Sequence, residues 1–241
     1  MKVAKPFGKS RAPGTLRLRL CDTNPDVVDA WLEAFHDVDA VEVLEGSLLD
    51  ADADALVSPA NSFGDMGGGV DKHIDDFYKG AAQPALVAAI RDQFLGELPV
   101  GMALIVPMVG APRFPFFVAA PTMRVPRNVS GTINAYLSLR AALVAVLRHN
   151  RHDDARRIWR LAVPGLCTGV GGMSYGEAAR QMRVASDNVV GGGWEAVMHP
   201  AMAPYAFGPA GHKGWFDPTA LPHAIRRTDT GSGNKLDEKT N

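Results

Sequence analysis

Asn61 and Asp71 are the side chains best placed for chemistry on a polar ligand, because three consecutive glycines, Gly67, Gly68 and Gly69, lie between them. Upstream, the apolar run Ala55-Leu56-Val57 predicts a buried strand. It ends at Ser58-Pro59, since proline cannot continue a central strand. Downstream, Val70 to Lys79 has the pattern of a short helix. Glycines at a helix start cost folding entropy and bring no side chain. A chain keeps them where backbone must come close to something, and free amides at a helix N-terminus attract anions, phosphate above all. The stretch therefore points to a phosphate-bearing ligand with Asn61 and Asp71 beside it. Each residue also has a plainer reading. A carboxylate in the first turn of a helix gains about 0.3–1 kcal/mol from the dipole, and asparagine commonly caps a turn.

A second glycine loop, Pro164-Gly165-Leu-Cys167-Thr168-Gly169-Val170-Gly171-Gly172, also follows a predicted strand and precedes a predicted helix. Ligands of open α/β sheets sit outside the carboxyl ends of the strands, so two such loops can face one ligand from two sides. Neither loop is a nucleoside-triphosphate loop, because G-x-x-x-x-G-K-[ST] is absent from the sequence. The dinucleotide pattern also fails, because Gly169-x-Gly171 is followed by Ser174 rather than glycine. Gly172-Met-Ser174-Tyr-Gly176 does match the G-x-S-x-G of a nucleophile elbow, with Asp187 or Asp217 and His199, His212 or His223 as partners. But Ser174 lies well past the strand end near Pro164, and Ser174 with Glu177 reads instead as a capping box. Cys167 reads as a small buried hydrophobe rather than a nucleophile, and His73 as a surface or packing residue.

The elements that must carry these loops alternate along the chain. Strands are predicted at Leu16–Leu20, Val41–Leu44, Ala55–Val57, Met102–Met108, Phe116–Ala120, Arg156–Val163 and Trp194–Met198. Helices are predicted at Val27–Phe35, Val70–Lys79, Pro84–Leu95, Asn128–His149 and Ser174–Val190. Such alternation predicts an α/β domain with helices on both faces of a sheet. Residues 1–14, basic with Pro and Gly, read as a flexible N-terminal segment. The domain spans 15–205, followed by an irregular extension over 206–241 that is polar and disordered from about 226.

Bulk composition narrows the function classes. The chain has 241 residues, 46% hydrophobic, with net charge -1, so no general nucleic-acid or anionic-membrane attraction is implied. Two cysteines, Cys21 and Cys167, make no disulfide framework and point to a reducing, cytoplasmic setting. No apolar run is long enough to span a bilayer. The histidines lack metal-ligand spacing, and neither a metal nor a cofactor is expected.

Taken together, the two loops resemble the macrodomain family (ADP-ribose-binding, Appr-1-p processing), in order and spacing from about Val41 to His199. The family's Asn-Ala-Ala-Asn element reads here Ser58-Pro59-Ala60-Asn61, and its Gly-Gly-Gly-Val loop reads Gly67-Gly68-Gly69-Val70. Its second turn, Gly-Ile-aromatic-Gly, reads Gly169-Val170-Gly171-Gly172. The resemblance implies a three-layer α/β/α sandwich with a central mixed sheet. It implies a site for ADP-ribose or an ADP-ribosylated substrate, and in some branches hydrolysis of ADP-ribose from proteins. On that pattern Asn61 contacts the distal ribose and Asp71 helps it position and activate water. The backbone of Gly67 to Val70 and of Cys167, Thr168 and Gly169 to Gly172 clamps the diphosphate, with Ala60 alongside. Ser47 and Leu48 replace an Asp-Ile pair whose aspartate contacts adenine, and residues around His199 and Pro200 are further adenine candidates. Gly171 replaces the aromatic. A non-catalytic ADP-ribose module and an ADP-ribose-1''-phosphate phosphatase are the alternative readings within the family.

Overall fold

The computed structural model describes residues 1–8, 15–111 and 113–196. In chain order the elements are β1 (Lys2–Lys5), β2 (Arg17–Asp22), α1 (Pro25–Phe35), β3 (Val41–Glu45), β4 (Ala55–Ser58), α2 (Gly69–Phe77) and α3 (Ala82–Phe94). They continue with β5 (Leu104–Pro107), β6 (Phe116–Ala119), α4 (Asn134–His152), β7 (Arg160–Val163) and α5 (Tyr175–Val189), with short 3-10 turns at Leu48–Asp50 and Gly193–Ala196. One seven-stranded sheet runs β1-β3-β2-β7-β4-β6-β5. The central β3, β2, β7, β4 and β6 are parallel, and β1 and β5 close the edges antiparallel.

Successive strand residues point to opposite faces, and this builds the three layers. Leu18, Leu20, Val43, Val57, Val118 and Val163 pack with α1, α4 and α5 on one face. Cys21, Leu44, Leu56, Phe117 and Ala162 pack with α2 and α3 on the other. Strands buried on both faces read as continuous apolar runs, which is why Ala55-Leu56-Val57 needs no alternation. Helix α1 starts at Asn24, whose side chain accepts from the Asp26 amide, with proline in the first turn. It buries Trp31 and Phe35, each contributing about 1.5–3 kcal/mol.

Four elements differ from the sequence reading, the first three with local causes. Lys2–Lys5, expected to be flexible, is an edge strand on β3, held by Lys2 to Glu45 at 2.9 Å and by Lys5 Nζ donating to the Val38 and Val41 carbonyls. Helix α4 begins at Asn134 rather than Asn128, because the Asn128 side chain accepts from the Ser130 amide and hydroxyl and makes a turn. Strand β7 begins at Arg160 rather than Arg156, because Asn150 bonds both the amide and the carbonyl of Ile158 and Asp153 accepts the Arg156 amide. The expected strand at Trp194–Met198 is instead a 3-10 turn as far as Ala196. Its last two residues, His199, Pro200, His212, Asp217, His223 and the 206–241 extension lie outside the described residues.

Candidate functional site

The five parallel strands end on one edge of the sheet, and β4 and β7 are neighbours there. The chain leaves β4 toward α2 on one face and leaves β7 toward α5 on the other. Adjacent strands whose connections depart to opposite faces form a topological switch point, with a crevice between the two loops. Both glycine loops are these connections.

In the first loop the N-cap of α2 is Gly68, and no side chain caps the helix. Its opening amides have no intrahelical acceptor. Gly69 sits at φ +58°, which favours glycine. Gly68 is different, because its φ of -149° is extended backbone that any residue adopts. A Cβ on Gly68 would meet nothing within 4 Å. Neither the conformation of Gly68 nor its packing demands glycine, and its bare backbone leaves the helix start open to close approach from outside. The Gly67 amide donates to Asp65 Oδ1 at 2.9 Å, and Val70 packs half-buried against the core.

Asn61 is folded into its own loop. Its Oδ1 accepts from the Phe63 and Asp65 amides at 3.0 and 3.3 Å, and its Nδ2 donates to the Asp65 carbonyl at 2.9 Å. A primary amide has two donors and about two acceptor sites, so one N–H is left for a ligand. Asp71 is a half-buried residue in the first turn of α2 with its carboxyl at the buried end. Ser58 Oγ donates to Oδ1 at 2.6 Å, and the Ala60 amide also bonds the carboxyl. Burial pushes this carboxyl up from its ordinary 3.8 to about 6. The Ser58 and Ala60 bonds pull it back down, and the charge of Asp65 adds to the rise.

The second loop folds tightly on itself. Cys167 sits at φ +65°, the Met173 amide donates to its carbonyl at 3.0 Å, and the Gly172 amide donates to the Gly169 carbonyl at 3.0 Å. A Cβ on Gly171 would lie 2.5 Å from the Cys167 carbonyl oxygen, so no side chain fits there. Gly172, at φ +62°, faces Asn128, and the Val129 amide donates to the Gly171 carbonyl at 2.8 Å. Asp22, at the end of β2, ties this loop to its neighbour, accepting from the Asn24 and Gly165 amides at 2.9 and 3.3 Å. Thr168 is half-buried, and Gly169 and Val170 are exposed at the tip. Burial pushes the Cys167 thiol up to about 12, so it stays a neutral thiol near pH 7 and is no nucleophile.

Ser47 caps the 3-10 turn after β3, accepting from the Leu49 amide at 3.2 Å, and Leu48 is buried in the core beneath. Leu48 thus offers a ligand only its backbone, and buried Ala60 lines the loop base. Ser174 Oγ accepts from the Glu177 amide as the N-cap of α5. Glu177 does not complete the capping box, because its carboxylate bonds Arg180 and Gln181. His73 is exposed on α2. Sequence reasoning missed Ser58 as the partner of Asp71, and Asp22. The signal for both was a polar residue closing an apolar strand.

A cleft of about 450 Å³ opens at the opposite edge of the sheet, lined in part by Asp52, Asp54, Arg156 and Arg157. Asp52 and Asp54 pair with Arg160, Arg156 with Asp153 and Arg157 with Asp154, while Arg113 donates to the Ala51 carbonyl at 2.9 Å. Among the described residues no group of three or more His, Cys, Asp or Glu is arranged to hold a metal ion, and no helix is long and apolar enough to cross a membrane.

A family model described as "Macro domain" matches residues 57–182. An uncharacterized protein of Aquifex aeolicus is 33% identical over 147 residues, 59% of this chain and 78% of that protein. Another, from Aeropyrum pernix, is 32% identical over 151 residues, 62% of this chain and 71% of that protein. Among solved structures, the macrodomain of Mycobacterium tuberculosis DarG is 26% identical with a TM-score of 0.47, covering 60% of this chain and 87% of its own. Thermosipho africanus DarTG in complex with ADP-ribose is 16% identical with a TM-score of 0.46, covering 69% of this chain and 49% of its own.

Proposed function

This chain belongs to the Macro domain family, and on that premise we propose that it binds ADP-ribose in the β4–β7 crevice and hydrolyses it from modified substrates. The uncapped amides at the start of α2 and the backbone at the Gly169–Gly171 tip supply donors for the two phosphates without bringing a side chain between them and the ligand. Ser47 and the Leu48 backbone lie on the adenine side, with the remaining Asn61 N–H on the distal ribose.

The observation that carries the catalytic reading is the Asp71 carboxyl, in the first turn of α2, held by Ser58 and the Ala60 amide and raised to about 6. A carboxylate of that basicity is ionised at neutral pH yet accepts a proton far more readily than an ordinary aspartate, as a general base requires. Water gives one proton to Asp71 while its oxygen bonds the anomeric carbon. The bond from that carbon to the modified side chain breaks, its electron pair leaving with the side-chain atom. Asp71 then returns its proton to that atom or to solvent. Such assistance is worth about 10²–10⁴ in rate.

One observation favours a second reading, a non-catalytic ADP-ribose module: most of the Asn61 amide is engaged within its own loop. Phosphate removal from ADP-ribose-1''-phosphate is the third reading of the same crevice. Release of ADP-ribose from a modified protein by wild type, Asp71→Ala and Asn61→Ala, beside calorimetry with free ADP-ribose, separates the readings. The hydrolase requires wild-type turnover that falls at least a hundredfold in Asp71→Ala with binding retained. Binding without turnover selects the module. The two buried free cysteines suit a reducing compartment, the cytoplasm.

A further inference from the structure

Ser58 is completely buried at the end of a central strand. Its position is fixed by the sheet, where the Ala120 amide donates to its carbonyl at 3.0 Å. Its hydroxyl has a single proton to donate, and that proton goes to Asp71 Oδ1 at 2.6 Å, across thirteen residues of sequence. The bond therefore joins the strand entering the first glycine loop to the helix leaving it. A carboxylate has about four acceptor sites. With one bond from Ser58 and one from the Ala60 amide, acceptor sites remain for a water.

We propose that Ser58 is a positioning residue of this site: it fixes the orientation of the Asp71 carboxylate and favours its charged form, leaving acceptor sites open for the attacking water. The inference rests on the reading of Asp71 as the base. Among charged groups, Asp65 of the loop works against ionisation. Strand β4 contributes no titratable side chain over Ala55–Ser58. Helix α3, packed on α2, carries Arg91 and Asp92, and α2 itself carries His73, Asp75 and Lys72, the last paired with Asp76 at 2.7 Å. Ser58 is thus the side chain that bonds the charged form directly, opposing burial.

The test compares wild type, Ser58→Ala and Ser58→Thr by two readouts. One is the pH dependence of ADP-ribose release from a modified protein. The other is the titration of the Asp71 carboxyl carbon by NMR in free protein, assigned with Asp71→Asn. Losing a charge-assisted hydrogen bond moves the Asp71 titration and the acid limb of the rate profile upward by about one pH unit. ADP-ribose affinity changes by less than about threefold, and Ser58→Thr restores both curves. The same Asp71 titration in wild type and Ser58→Ala overturns the proposal, as does an equal loss of release at pH 6 and pH 8. If Ser58→Ala does not fold, Ser58→Cys, a weaker donor, must show the same upward movement. A wild type that binds ADP-ribose but releases nothing sinks the hydrolase reading, while the carboxyl titration still decides what Ser58 does.

Discussion

Replacing Asp71 by asparagine is expected to stabilise the fold at neutral pH while abolishing hydrolysis. The native carboxyl is raised from 3.8 to about 6, so folding favours its protonated form. Below pH 3.8 the group is protonated in both folded and unfolded chains, and its contribution is fully present. Between 3.8 and about 6 the folded state holds a proton that the unfolded state has released, so stability falls as pH rises. Above about 6 the loss is complete. At 1.36 kcal/mol per unit the full difference is about 3 kcal/mol, and discounting for solvent reaching a half-buried residue leaves about 1–2 kcal/mol. Asparagine keeps a carbonyl oxygen for Ser58 and for the Ala60 amide but has no charge to desolvate. The assay is urea unfolding of both proteins from pH 4 to pH 8. The stability gain of Asp71→Asn should be near zero at pH 4, rise through pH 5 and level off above about 6. A gain that is flat with pH, or a variant that is relatively weaker at pH 8 than at pH 4, refutes the reasoning, since either means that the fold does not disfavour the carboxylate.

Gly68→Glu should leave thermal stability within about 0.5 kcal/mol, because its Cβ meets nothing and its backbone is extended. It should nevertheless abolish ADP-ribose binding in calorimetry, and unchanged affinity counts against the first loop as the diphosphate site. Gly171→Ala should destabilise by more than about 2 kcal/mol, since its methyl would sit 2.5 Å from a backbone oxygen; a wild-type melting temperature would contradict this. Ser174→Ala should cost about 1 kcal/mol as the loss of a helix cap and leave ADP-ribose release intact, whereas loss of activity would revive the serine-nucleophile reading.

Strand and helix order was legible because the residues that bury the sheet follow simple periods. Ala55-Leu56-Val57 is apolar on both faces, and Val27, Val28, Trp31 and Phe35 make one helical stripe. The two glycine loops stood out because glycine runs are costly without a use. Element boundaries failed where a side chain from elsewhere claimed the backbone. Asn150 holds Ile158 away from β7, and Asn128 turns the chain before α4. The Ser58–Asp71 bond was out of reach for the same reason, since sequence gives each residue's chemistry but not which partner thirteen positions away will face it. Gly171 read as a missing aromatic, and only its 2.5 Å approach to Cys167 turns that omission into a steric requirement.

That approach also constrains how this loop can change over time. Residues 167 and 171 form one mutational unit: a side chain at 171 is admissible only after the backbone at Cys167, already left-handed at φ +65°, has been rerouted. A single substitution that places an aromatic at the rim therefore carries the full cost of that approach, so sequences descended from this one are expected to keep glycine there or to replace both positions together.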